Sequence, residues 1–141
     1  MKNIRFSRIR FVGYLLLLWV AGCNGGGGDG AAAPLILEIG EAGVDCDTCQ
    51  QIGQPPPFIV LGELDTGTDV DCYCFDGKAD TTYLIGITGN NRRVTAERPG
   101  EEEPKTGTTG LLEYDPPSDG KVCVCISGGT RGGYVLTVIP T

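Results

Sequence analysis

Asp69-Val70-Asp71-Cys72-Tyr73-Cys74-Phe75 is the stretch on which the fold turns. Tyr73 and Phe75 alternate with Cys72 and Cys74. That two-residue period is the signature of a strand with one face buried. The same pattern returns twice. Val122, Val124 and Ile126 alternate with Cys123 and Cys125, and Tyr134, Leu136 and Val138 alternate with Val135 and Thr137. The large apolar side chains of each set face a core, which turns both cysteine pairs out of it.

Working outward, further short runs rich in β-branched and aromatic residues appear at 35–39, 58–61, 82–87 and 110–114. Gly, Pro, Asp and Asn punctuate them at short intervals, and no window carries a helical apolar period. Short strands at regular spacing between turn signals predict an all-β fold, a single small β-sandwich. The stretch 90–109 is the most polar, with Glu101-Glu102-Glu103 and two prolines, and reads as an exposed loop or an irregular edge strand.

The order of these strands resembles the bacterial pre-peptidase C-terminal (PPC) domains. Asp69 to Phe75 is similar to their D-x-D-x-Y-x-F strand, and Gly62-Glu63-Leu64 to the G-x-L ahead of it. Asp119 to Ile126 is similar to their glycine-led strand, and Gly132 to Val138 to their closing G-x-Y-x-L-x-V strand. The resemblance covers roughly residues 38–139. It implies an antiparallel β-sandwich of jelly-roll type.

The front of the chain gives an address. Lys2, Arg5, Arg8 and Arg10 precede an apolar run that ends in small residues before a cysteine, as in a secretory signal peptide. Val20-Ala21-Gly22-Cys23 resembles the lipobox of bacterial lipoproteins, with Val20 where that family usually has Leu. The resemblance implies cleavage after residue 22 and lipidation of Cys23. The apolar run is too short for the ~20 residues of a membrane-spanning helix. The glycine-rich stretch behind it suits no helix. The expected organisation is a signal peptide over 1–22, lipidated Cys23 with a flexible tether over 23–34, and the sandwich over 35–141. The expected location is the cell envelope, with a lipid anchor in the membrane. Asn24 behind the lipid cysteine resembles outer-membrane cargo of diderm bacteria.

Charge excludes some partners. Four of the 11 Lys and Arg lie in residues 1–22, leaving 7 against 18 acids, a net charge of −11 for the remainder. Such a surface does not suit nucleic acid. Ten of the acids fall between Asp29 and Gly77 with no Lys or Arg among them. A block of this kind is either solvated or holds a cation.

Beyond Cys23 six cysteines remain: Cys46, Cys49, Cys72, Cys74, Cys123 and Cys125. An even number in an exported domain reads as a disulfide framework. The simplest pairing sets Cys72 and Cys74 against Cys123 and Cys125 across two neighbouring strands, with Cys46 and Cys49 closing a local ring. Two alternatives stand beside it. One is a zinc site built from the two C-x-C pairs. The other is thiol–disulfide redox chemistry at Cys46-x-x-Cys49, which Asp45 and Asp47 disfavour by raising a thiol pKa.

In relatives of the PPC family, notably collagen-binding domains of bacterial collagenases, acids in two regions bind calcium. The resemblance implies candidate calcium ligands at Glu38, Glu41, Asp69 and Asp71, matched in position for Asp69 and Asp71. A solvated acidic face with turn-forming Asp side chains is the competing reading. Catalysis is not expected: there is no histidine, and beyond residue 22 the only serines are Ser118 and Ser127, nucleophiles without a base. The reading is thus a lipid-anchored, non-catalytic module that binds an extracellular polymer or an envelope protein. The alternative is a spacer or coat component without a ligand.

Overall fold

Ten strands account for the domain in the computed structural model, which describes residues 32–38, 40–108 and 110–141. They are β1 (Leu35–Leu37), β2 (Gln50–Gln51), β3 (Phe58–Leu64), β4 (Val70–Gly77), β5 (Tyr83–Thr88), β6 (Arg93–Glu97), β7 (Lys105–Thr108), β8 (Gly110–Tyr114), β9 (Gly120–Ser127) and β10 (Gly132–Pro140). Two five-stranded sheets result, in the orders β1-β3-β10-β5-β8 and β2-β4-β9-β6-β7. The chain changes sheet at almost every step; only β6 and β7 follow one another within a sheet. The fold is an all-β sandwich, and no described residue is helical.

The expected antiparallel pairing holds everywhere except at one edge of each sheet. β1 pairs with β3 in parallel, and β2 with β4 in parallel. The cause is the crossing pattern. Two crossings separate β1 from β3, and likewise β2 from β4, so each strand returns to its own sheet in the same direction.

The period-two reading places the core correctly. Tyr73, Phe75, Val122, Val124, Ile126, Tyr134, Leu136 and Val138 are all buried between the sheets. Phe75 sits at the centre, with the rings of Phe58 and Tyr83 edge-on at 5.5 and 5.2 Å, the orientation aromatic pairs prefer. Residues 90–109 differ from expectation. β7 is an edge strand, but β6 lies inside its sheet between β9 and β7. Val94 and Ala96 alternate inward and are fully buried. Their small volume hid the pattern among charged neighbours.

The cysteine face is the second difference. Cys72, Cys74 and Cys123 do point away from the core, yet none is accessible to solvent. The segment from Ala42 to Cys49 covers them. Gly43 O accepts from Cys72 N at 2.9 Å, Ala42 O from Gln50 N at 2.8 Å, and Lys121 Nζ donates to Cys46 O. The bridges follow this arrangement: Cys46–Cys123, Cys49–Cys74 and Cys72–Cys125. Only Cys72–Cys125 is the cross-strand bridge expected. Cys74 and Cys123 are also register partners, but each bonds to the covering segment instead. Cys46 and Cys49 therefore close no local ring.

Candidate metal centre

The two sheets meet where the residue after β1, the start of β4 and the start of β10 come together. Each candidate acid reaches that seam for a local reason. Glu38 directly follows β1 and extends its ladder, N donating to Leu61 O at 3.1 Å. Its carboxylate turns back over β3, and Oε2 accepts from Glu63 N at 2.8 Å. Asp69 closes the turn before β4: Oδ2 accepts from Asp65 N at 2.7 Å and Oδ1 from Val70 N at 2.9 Å. Asp71 shares the inward phase of Tyr73 and Phe75 and is fully buried.

A carboxylate in that position needs a donor, and the opposite sheet supplies one. Tyr134 OH donates to Asp71 Oδ2 at 2.6 Å, and the hydroxyls of Tyr73 and Tyr134 are 2.6 Å apart. Gly62 makes the space. It faces Tyr134 in register on β3, and a Cβ there would overlap the Tyr134 phenol and lie 2.8 Å from Glu38 Oε2. The other oxygen, Asp71 Oδ1, is buried without a hydrogen-bond partner. An ionised oxygen in that condition carries its desolvation cost uncompensated.

Oxygens of Glu41, Asp69 and Asp71 all lie within 4.8 Å of one another. Their crowding is visible in the protonation equilibria. Burial pushes the Glu38 carboxyl up to about 7 against the opposing amide of Glu63, and the charges of Asp71, Glu41 and Asp69 push the same way. Burial also raises Asp71. Donation from Tyr134 opposes this, and the charges of Asp69 and Glu41 add to it. Burial first, then bonding to Asp71 and Tyr73, holds the Tyr134 phenol protonated far above its ordinary range, so it remains a donor.

The four acids named from the sequence thus gather at one place. Glu41, Asp69 and Asp71 form the tight group, with Glu38 beside them on the Glu63 amide. Asp69 also performs the turn-forming role of the competing reading. Tyr134, Tyr73 and Gly62 belong to the same site, although the sequence presents them only as core and motif residues. The signal was available: Asp71 is two residues from Tyr73 on the inward face, and a buried carboxylate requires a donor from the facing sheet. The cysteines lie elsewhere, on the outer face of the second sheet. Cys23 and the expected signal peptide lie outside the described residues, as does the tether through residue 31.

Hard oxygen ligands at this spacing are suited to a cation of the calcium type. No protein-family model matches the sequence, and no curated protein matches it by sequence. Solved structures match by fold. PliG from Salmonella Typhimurium, a periplasmic inhibitor of g-type lysozyme, is 14% identical with a TM-score of 0.54 over 64% of this chain and 96% of its own. PliG from Aeromonas hydrophila is 16% identical with a TM-score of 0.54 over 78% of this chain and all of its own. The pre-peptidase C-terminal domain of the collagenase from Bacillus anthracis is 16% identical with a TM-score of 0.51 over 63% of this chain and 92% of its own. The chain therefore has a PPC-like β-sandwich fold.

Proposed function

We propose that this chain is a lipid-anchored, non-catalytic binding module of the bacterial cell envelope, braced by calcium at the seam of its two sheets. The observation that carries the calcium reading is Asp71: fully buried, with Oδ1 lacking a hydrogen-bond partner and a carboxylate oxygen within 4.8 Å of oxygens of Glu41 and Asp69. A divalent cation there would satisfy that oxygen and neutralise the crowded charge. Glu41, Asp69 and Asp71 are the ligands, with Glu38 coupled to them electrostatically. The cation's part is structural. It ties the segment after β1, on one sheet, to the start of β4 on the other.

The partner is a protein. Three sandwiches of this fold are inhibitors of a lysozyme, and the strong acidity of this chain favours a cationic partner through electrostatic complementarity. Anchoring through Cys23 would hold the module at the membrane. Titration calorimetry with calcium chloride tests the brace: saturable binding in the wild type and none in Asp71→Asn is expected, and no heat in either removes it. A g-type lysozyme is the first partner to test. The expected result is binding that weakens steeply with salt, together with loss of lysozyme activity. Full activity at saturating concentrations of the chain would sink a lysozyme partner.

A further inference from the structure

Four of the six bridged cysteines form one contiguous sulfur cluster. Cys46–Cys123 and Cys49–Cys74 lie side by side, and Sγ of Cys74 is 3.2 Å from Sγ of Cys123. These two sulfurs are unbonded to each other, yet their residues are direct register partners on β4 and β9. Two residues along the same ladder, Cys72 and Cys125 are register partners that do carry a bridge, with Cα atoms 4.1 Å apart. Antiparallel pairs alternate between wide and narrow types. Positions two apart share a type, so Cys74 and Cys123 occupy the same kind of site that Cys72 and Cys125 bridge. The remaining pair is also close. Cys46 and Cys49 share the turn capped by Asp45, whose Oδ1 accepts from Asp47 N at 3.0 Å and Thr48 N at 2.8 Å. Sγ of Cys49 lies 3.2 Å from Cys46 O.

We propose that Cys49 is a thiol-reactive site through which a low-molecular-weight thiol switches the cluster between two isomeric pairings, 46–123 with 49–74 and 46–49 with 74–123. Cys49 is the entry point because it is partly exposed, whereas Cys46, Cys74 and Cys123 are buried. The incoming thiolate attacks Sγ of Cys49. A mixed disulfide forms there, the 49–74 bond breaks, and Cys74 leaves as thiolate. Cys74 then attacks Sγ of Cys123, 3.2 Å away, forming 74–123 and releasing the Cys46 thiolate. Cys46 attacks Cys49 in the mixed disulfide, forming 46–49 and expelling the original thiolate. Three bonds form and three break, no electrons are gained or lost, and the external thiol acts as catalyst.

The isomers differ in what they hold. In the first, two covalent links fasten the segment 42–49 to β4 and β9. In the second, that segment keeps hydrogen bonds to the sheet but no bridge. Glu41 directly precedes it, so the pairing sets how tightly that carboxylate is held at the seam.

Cleavage after glutamate at acid pH separates the cysteines into fragments 42–63, 64–97 and 114–141. The full chain incubated with substoichiometric glutathione, quenched by acid and mapped without reduction, is the test. The expected result is release of fragment 42–63 carrying an internal disulfide, in an amount exceeding the thiol added, while 64–97 and 114–141 stay joined. A sample without thiol keeps all three fragments linked. If 42–63 stays linked in both samples, the proposal is overturned. In Cys49→Ser the free thiol should migrate, so that alkylation falls on Cys46 with 74–123 bridged. Alkylation of Cys74 with 46–123 intact would equally overturn it.

Discussion

The phenol of Tyr134, on the first sheet, donates to Oδ2 of Asp71, on the second, across 2.6 Å. Both groups are buried, and this bond joins the two layers at the seam. Phe at position 134 removes the donor and leaves a buried carboxylate with less compensation. The cost of a buried polar group left unpaired is about 1–3 kcal/mol. Tyr134→Phe should lower stability by about that amount in chelator, read as a drop in the denaturant midpoint at unchanged slope. A midpoint equal to wild type would mean that Asp71 is already protonated or solvated.

The protonation of Glu38 gives a pH dependence with a definite sign. Its folded pKa is raised to about 7, from 4.5. Between those values the folded chain keeps a proton that the unfolded chain has released. In chelator this contribution to stability is complete below about pH 4.5 and fades as pH rises to about 7. Glu38 is partly exposed, so the effect is about 1 kcal/mol after solvent screening. Glu38→Gln should flatten the profile in that window. Thermal melts across pH, in both variants with chelator, make the comparison; parallel curves would refute the assignment.

Calcium should act in the opposite sense. A cation bound only by the native state stabilises it by about 2.7 kcal/mol at a hundred times its dissociation constant. Binding requires deprotonated carboxylates, so the increase in melting temperature should grow with rising pH. Asp71→Asn should abolish the increase. An increase that is independent of pH would place the cation elsewhere.

The bridge Cys72–Cys125 closes 53 residues. Chain entropy alone gives such a loop about 4 kcal/mol. Cys46–Cys123 and Cys49–Cys74 already close overlapping loops, so the double variant Cys72→Ala, Cys125→Ala should lose less than that. Because it leaves the other four sulfurs in place, its bridges should still map as 46–123 and 49–74. A loss exceeding about 4 kcal/mol would point to packing of the sulfurs rather than chain entropy.

Anchoring has its own test. Cys23→Ser should release the protein or leave it uncleaved and unlipidated, and so change its partitioning between the detergent and aqueous phases. Equal partitioning of both forms would refute the lipoprotein reading.

The sheets were legible because their strands alternate large and small residues. Tyr73/Phe75 and Tyr134/Leu136/Val138 announce their faces directly. β6 was not, since Val94 and Ala96 are small and sit between Arg93, Thr95 and Glu97. The acids are legible by position but not by burial: Asp71 shares the inward phase of Tyr73, but a charged residue in that phase carries no apolar signal. The disulfide partners were only half legible. Strand phase set Cys72 and Cys74 against Cys123 and Cys125 without fixing which faces which; the register does that. Phase could not show that the segment 42–49 folds back over the C-x-C face, because that contact is made by backbone carbonyls of Ala42, Gly43 and Cys46, which carry no sequence signal.

All three bridges belong to the second sheet and its covering loop; the first sheet is held by hydrogen bonds and packing. A pull transmitted along the chain from ahead of residue 32 would therefore meet two very different resistances. It first reaches β1, whose three register pairs to β3 are extended only by the backbone bonds of Pro34 and Glu38. Those three pairs can shear away, taking Glu38 and Glu41 off the seam. Unravelling then stops at Cys46, where the bond to Cys123 is covalent. The fourteen residues 32–45 would pay out at most about 50 Å of chain before that bond takes the load. The domain's N-terminal edge is in effect a short spring with a fixed stop, while the cores of both sheets remain folded behind it.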